Sequence, residues 1–181
     1  MCINCESMKF ALEKSIEILG QTANTLASML EGLSSDWTAS TGDTSNWSPY
    51  DVVGHLIHCE EYDWIPRAEM IMVHGESRAF EPFNRLAQFE VSRQKSLSDL
   101  LSEFCKIRTV NLEKLARWRL TPTQLARTGI HPEFGKVTLA QLIATWTVHD
   151  LGHIRQVATH MARRYEEEVG PWKQYLSVLK D

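Results

Sequence analysis

The sequence predicts an all-α fold, a four-helix bundle with a short C-terminal helix, and three observations carry that prediction. Apolar residues recur at three- and four-residue spacing over long stretches, helix-start signals precede two of those stretches, and strand-type alternation is scarce. The 181 residues are 43% apolar and 23% charged, ordinary proportions for one globular domain spanning 1–181 with a sizeable core.

The first stretch, about 7–33, sets Leu12, Ile16, Leu19, Ala23, Leu26 and Leu30 on one stripe of a long amphipathic helix. A polar loop rich in Ser, Thr, Asp and Gly follows over 34–47. The second helix has a clear start. Ser48 suits the cap, Pro49 the first helical position, and Asp51 the positive end of the helix dipole. It runs through Val52, His55, Leu56, Cys59 and Tyr62 to about 65, where Pro66 kinks it or begins a new turn that continues to Val73. A loop is expected over 74–84. The third helix, about 86–118, carries Leu97, Leu100, Leu101, Phe104, Ile107, Leu112 and Leu115. The stretch 121–137, with two Pro and two Gly, reads as irregular. Thr138 with Gln141 forms a capping box ahead of a fourth helix reaching about Tyr165, and 172–179 reads as a short terminal helix after Gly170-Pro171.

A formal net charge of −4 gives no electrostatic reason to expect nucleic acid or an anionic membrane as partner. No apolar run approaches the roughly 20 residues that cross a bilayer. The start of the chain has neither a basic leader nor an apolar signal core, so a cytoplasmic location is the expectation. Cys2 and Cys5 form a C-x-x-C pair without the second pair of a zinc ribbon or the βαβ context of a redox motif, and read as incidental thiols. Cys59 and Cys105 read as small core residues.

Chemistry concentrates in the histidines. His149 and His153 are four residues apart on the fourth helix, so both imidazoles share a face and can reach one ion. His55, on the inward stripe of the second helix, is the best candidate for a third ligand, and facing helices of a bundle can bring such side chains together. Three protein ligands leave at least one coordination position open, the mark of a catalytic or ligand-capturing centre. Spacing alone leaves open whether the three share an ion or are unconnected. His58 reads as a polar helix-face residue that could also be an outer donor or alternative ligand, His74 and His131 fall in loops, and His160 lies about two turns beyond His153.

His149-Asp150-Leu151-Gly152-His153 resembles the H-E-x-x-H of zinc peptidases, with Asp in place of the Glu base. Asp is a methylene shorter, which weakens the peptidase reading. Asp150 can orient a ligand histidine or pair with another helix. Trp47, Trp64 and Trp146 read as core packing, Trp146 with a second role as a substrate platform in view. Arg67 and Arg85 are candidates for an acidic substrate group, with ion-paired arginines as the plainer reading.

Taken in order, Trp47-Ser48-Pro49, Val53-Gly54-His55-Leu56, Thr138-Leu139-Ala140-Gln141-Leu142 and His149-Asp150-Leu151-Gly152-His153-Ile154-Arg155-Gln156 resemble the DinB-like superfamily, damage-inducible four-helix-bundle proteins. The resemblance runs from about Trp47 to the C-terminus. It implies an up-down-down-up bundle and a metal site made by one histidine of the second helix and two of the last, by position His55, His149 and His153. It also implies Zn, Ni or another divalent ion, frequent homodimers, and members that are thiol-dependent transferases or isomerases.

Three functions are therefore expected to compete. The first is a metal-dependent enzyme that binds a low-molecular-weight thiol and uses it as nucleophile toward a small-molecule substrate. The second is a metal-dependent hydrolase, against which stands the lack of an evident general base, Glu60 and Asp150 being the nearest carboxylates by sequence. The third is a non-catalytic metal-binding protein of the stress response.

Overall fold

The structure, a computed structural model, describes residues 8–40, 42 and 44–180. The Cys2–Cys5 pair lies outside the described residues. Helix α1 (Leu12–Leu30) buries Leu19, Thr22, Ala23, Leu26 and Leu30, the stripe expected from spacing, and starts later than the apolar pattern suggests. The following loop contains one short helical turn, α2 (Ser35–Thr38).

Helix α3 (Pro49–Tyr62) opens on a full capping box: Asp51 N donates to Ser48 Oγ over 3.2 Å, and Ser48 N donates to Asp51 Oδ2 over 2.9 Å. The chain breaks at Asp63 and restarts as α4 (Trp64–His74). The break sits upstream of Pro66 because a helical proline lacks the N–H that would bond the carbonyl four residues back, and its ring crowds that carbonyl, here that of Tyr62. His74 is the last residue of α4 and not a loop residue.

The single helix expected over 86–118 is two helices, α5 (Gln88–Ser92) and α6 (Leu97–Arg117). Ser96 and Asp99 explain the division, since they form a second capping box that starts α6 afresh. On α6 the buried positions are Leu100, Leu101, Phe104, Arg108, Asn111 and Leu115. Cys105, expected in the core, is exposed because it lies about 100° around the helix from Phe104.

Two further elements replace the irregular stretch: α7 (Pro122–Leu125) and an antiparallel hairpin of β1 (Thr128–His131) and β2 (Gly135–Thr138), paired from Thr128–Thr138 to His131–Gly135. His131 is thus a strand residue. Strands of four residues are too short to show convincing alternation, so periodicity missed them. Thr138 then caps α8 (Leu139–Arg163) with the expected box. The C-terminal helix is two 3-10 segments, Gly170–Tyr175 and Ser177–Leu179.

Four long rods result, with α3 and α4 forming one of them. Helix α1 packs on α6 and α8, and α3 packs on the same two, so α1 and α3 face each other across the core. One half of that core gathers Leu19, Cys59, Trp64, Ile65, Ile71, Leu115, Leu139, Ile143 and Trp146, and the other Leu26, Leu30, Val52, Val53, Leu56, Leu100, Phe104 and Val157. Among the described residues, no helix is long and apolar enough to cross a membrane.

Candidate metal centre

The three histidines singled out from spacing meet. His149 Nε2 lies 3.2 Å from His55 Nε2 and 3.1 Å from His153 Nε2. The i, i+4 spacing on α8 aligns His149 with His153, and the α3–α8 contact delivers His55 from 94 positions away. Gly54 serves a different contact: a Cβ there would stand 2.3 Å from Ser92 Oγ and 3.3 Å from Ser92 Cβ, so the missing side chain lets α5 lie close against α3 just before His55.

Aromatic rings enclose the imidazoles. Trp47 packs on His55 at 4.8 Å between ring centroids and stacks on His153 at 6.3 Å, while Trp64 meets His149 edge-on at 5.0 Å. A cavity of about 210 Å³ opens beside them, walled by Trp47, Cys59, Asp63, Trp64, Phe83 and Arg85 as well as the histidines. Trp47 and Trp64 therefore face the cavity. Trp146 is 1% exposed, is absent from the cavity wall and donates Nε1–H to Glu60 Oε1 over 3.1 Å, which rules it out as a substrate platform.

Burial and the neighbouring imidazoles disfavour protonation of His55 and His153. His55 is lowered to about 2, by burial first and then by His153 and His149. His153 is lowered to about 4 by burial and His149, against the raising effect of Gln156. Gln156 Oε1 lies 2.8 Å from His153 Nδ1, so Nδ1 carries the proton and Nε2 turns a lone pair toward the cluster.

Converging nitrogen lone pairs repel unless a proton or a metal ion sits between them. For a metal–nitrogen distance of about 2.0–2.1 Å, neighbouring ligand nitrogens stand about 2.8–3.0 Å apart in octahedral and about 3.3–3.4 Å apart in tetrahedral geometry. The observed 3.1 and 3.2 Å fall in that range. The donor set fits a divalent ion.

Behind His149 lies a buried charge network. Arg108 Nη1 donates to Asp150 Oδ2 over 2.6 Å and to the Leu19 carbonyl over 2.8 Å, and Nη2 donates to Glu60 Oε1 over 2.7 Å. Asn111 Nδ2 donates to Glu60 Oε2 over 2.8 Å. Burial raises the Glu60 carboxyl, against the pull of Arg108 and Asn111. Every partner of its oxygens is nonetheless an N–H donor, an arrangement made for the carboxylate. Burial also opposes ionisation of Asp150, but His149, Arg108 and Thr22 outweigh it and hold the carboxyl below its ordinary value. Of the two roles foreseen for Asp150, the structure shows the pairing with another helix. One oxygen pairs with α6, and Oδ1 faces His149 Nδ1 at 3.9 Å, too long for a hydrogen bond and short enough for attraction.

Other candidates lie elsewhere. His58, read as a polar helix-face residue, is buried, with Nε2 3.1 Å from the Asn84 carbonyl oxygen and its ring against Phe83. His160 borders a separate groove with Trp47, Arg155 and Gln156. Arg67 is engaged by Asp63 at 2.8 Å, by the Glu81 carbonyl and by the Phe80 ring, so it is not offered to substrate. Arg85 is exposed at the cavity edge.

Two cavity residues escaped the sequence reading. Cys59 was read as core, and it is buried there, yet Sγ also lies 3.4 Å from His55 Nε2. Asp63 was not considered. Both were marked by spacing, at four and eight residues after His55 on the same helical face.

The bundle and its histidine cluster define a class of helical proteins with a candidate metal site between their long helices. Within that class the chain belongs to the DinB superfamily, whose model matches residues 18–157. A solved structure from Bacillus subtilis, YfiT, described as a probable metal-dependent hydrolase with an unusual four-helix bundle topology, shares the fold. It is 20% identical, the alignment covers 91% of this chain and 93% of that one, and the TM-score is 0.73. A search of curated proteins finds no match.

Proposed function

We propose that the protein is a metal-dependent hydrolase acting on a small-molecule substrate, with His55, His149 and His153 holding one divalent ion, Zn or Ni, at the inner end of the cavity. The approach of His149 Nε2 to the Nε2 atoms of His55 and of His153, on one wall of that cavity, carries the reading. A divalent ion held there supplies Lewis acidity and acidifies a coordinated water. The hydrolase described for YfiT supports the same class of chemistry.

Asp63 answers the objection that no general base accompanies the site. Its carboxyl lies on the cavity wall, held by Arg67 at 2.8 Å. Burial raises it, and Arg67 and His149 pull it partly back, so it is a better proton acceptor than a solvated aspartate. Asp150, with Arg108 behind it, orients His149. Trp47, Trp64 and Phe83 exclude water from the inner site, and Arg85 at the edge offers a cation to an acidic substrate group. A thiol-dependent transferase finds less support, because a cavity of about 210 Å³ has too little room for a peptide thiol together with a second substrate.

The test is turnover of a panel of small esters and amides by zinc- or nickel-loaded protein, with and without added thiols. Hydrolysis that needs the metal but no thiol, and that is lost in His149→Ala, is expected. Turnover only with a thiol would replace this reading with the transferase.

A further inference from the structure

Two rows of side chains run side by side along α8. Gly152, Gln156 and His160 form one and Arg155, Thr159 and Arg163 the other, each at four-residue spacing. The segment 45–47 packs over them and closes a groove of about 380 Å³, roomier than the cavity beside the histidines. No carboxylate stands among the described residues that line it, although acidic residues outnumber basic ones in the chain by 23 to 19. Arg155 is exposed and has no ion-pair partner among the described residues. We propose that this groove binds a small organic anion, a carboxylate or a phosphate ester, with Arg155 as the cation that pairs its acid group and Trp47 against its apolar part.

A guanidinium offers parallel N–H groups to two oxygens of a carboxylate or phosphate, which is why arginine and not lysine suits this ligand. Gln156 commits its Oε1 to His153 Nδ1 at 2.8 Å, so the rest of its amide is a donor, the right kind of group for an anion. Trp47 is a preformed wall. Its Nε1–H is donated to the Thr44 carbonyl over 3.0 Å and its ring stacks on His153, so little ordering is left for a ligand to impose. The groove is open at Gly152, where a Cβ would meet nothing within 4 Å, and that leaves room for an organic body against the indole. Among the described residues lining the groove and the metal cavity, Trp47 alone is common to both, and no histidine of the cluster borders the groove. The anion site therefore goes beyond the hydrolase reading and needs no metal ion.

Calorimetric titration of the full chain, stripped of metal with a chelator and dialysed, tests this with phenyl phosphate and benzoate as probes. Removing metal keeps either anion from binding an ion in the other cavity, so this result and the hydrolase assay can fail separately. Saturable binding of one probe per chain is expected, and the tighter of the two identifies the acid. Affinity should fall at least about tenfold in Arg155→Met, and likewise in Gly152→Leu, whose side chain occupies the groove. It should stay within about twofold in Arg85→Met, at the edge of the metal cavity. Arg155 is exposed and Gly152 faces open space, so both groove variants should keep the helical circular dichroism of the native chain. Absence of saturable binding by both probes would overturn the proposal. Binding that survives both groove variants would overturn it too, as would binding lost in Arg85→Met, which would place the anion in the metal cavity.

Discussion

His55 and His149 stand 94 positions apart in the chain and bring their Nε2 atoms within 3.2 Å. His55 packs against Trp47 and Phe83, and His149 lies beside His153 on α8 with Asp150 Oδ1 3.9 Å from its Nδ1.

Arg108 neutralises two buried carboxylates, so its removal should be costly. Arg108→Met leaves Glu60 and Asp150 buried without their counter-ion and is expected to destabilise the fold by about 3–5 kcal/mol. Urea unfolding of the metal-free protein measures this. A loss under about 1 kcal/mol would mean that the network is well solvated.

Asp150→Asn keeps the shape of the side chain and removes the charge that faces His149 Nδ1. Metal affinity should fall about 10- to 100-fold while the helical circular dichroism is retained. An unchanged affinity by competition with a chromophoric chelator would show that Asp150 serves α6 alone.

The imidazoles give a signed pH dependence. In the metal-free fold His55 sits at about 2 and His153 at about 4, both below the ordinary value of 6.5 that each regains on unfolding. As the pH falls through 6.5 the unfolded chain takes up protons first, so this stability is full above 6.5 and is lost on the way down toward 4 and 2. Urea midpoints in the presence of chelator should therefore drop between neutral pH and about pH 5. A flat profile over that window would contradict the neutral, buried cluster.

Gly54→Ala forces a Cβ to within 2.3 Å of Ser92 Oγ and 3.3 Å of Ser92 Cβ. The hydroxyl can rotate away but the Cβ cannot, so a loss of about 1–3 kcal/mol is expected. Adding Ser92→Gly should recover part of it in a double-mutant cycle, and additive losses would place the strain elsewhere.

What could be read in the sequence was whatever is encoded locally. Ser48 with Asp51 and Thr138 with Gln141 announce their helices because a capping box is a contact between residues three apart. Ser96 with Asp99 is the same signal, overlooked because apolar spacing continues on both sides of it. His149 and His153 share a face by helical geometry alone, whereas the arrival of His55 depends on how α3 and α8 pack, which periodicity does not encode; only the likeness in motif order pointed there. Arg108 lay in plain view as a cation on an otherwise buried stripe, between Phe104 and Leu115, and its partners come from three other helices. The hairpin escaped because its strands are too short for a period to register.

The central claim is that His55, His149 and His153 hold one ion together. Elemental analysis of purified protein after loading and desalting tests it most directly. One divalent ion per chain is expected for the native protein, and its loss is expected in His149→Ala with the helical circular dichroism largely intact. Full metal content in that variant would contradict the shared centre.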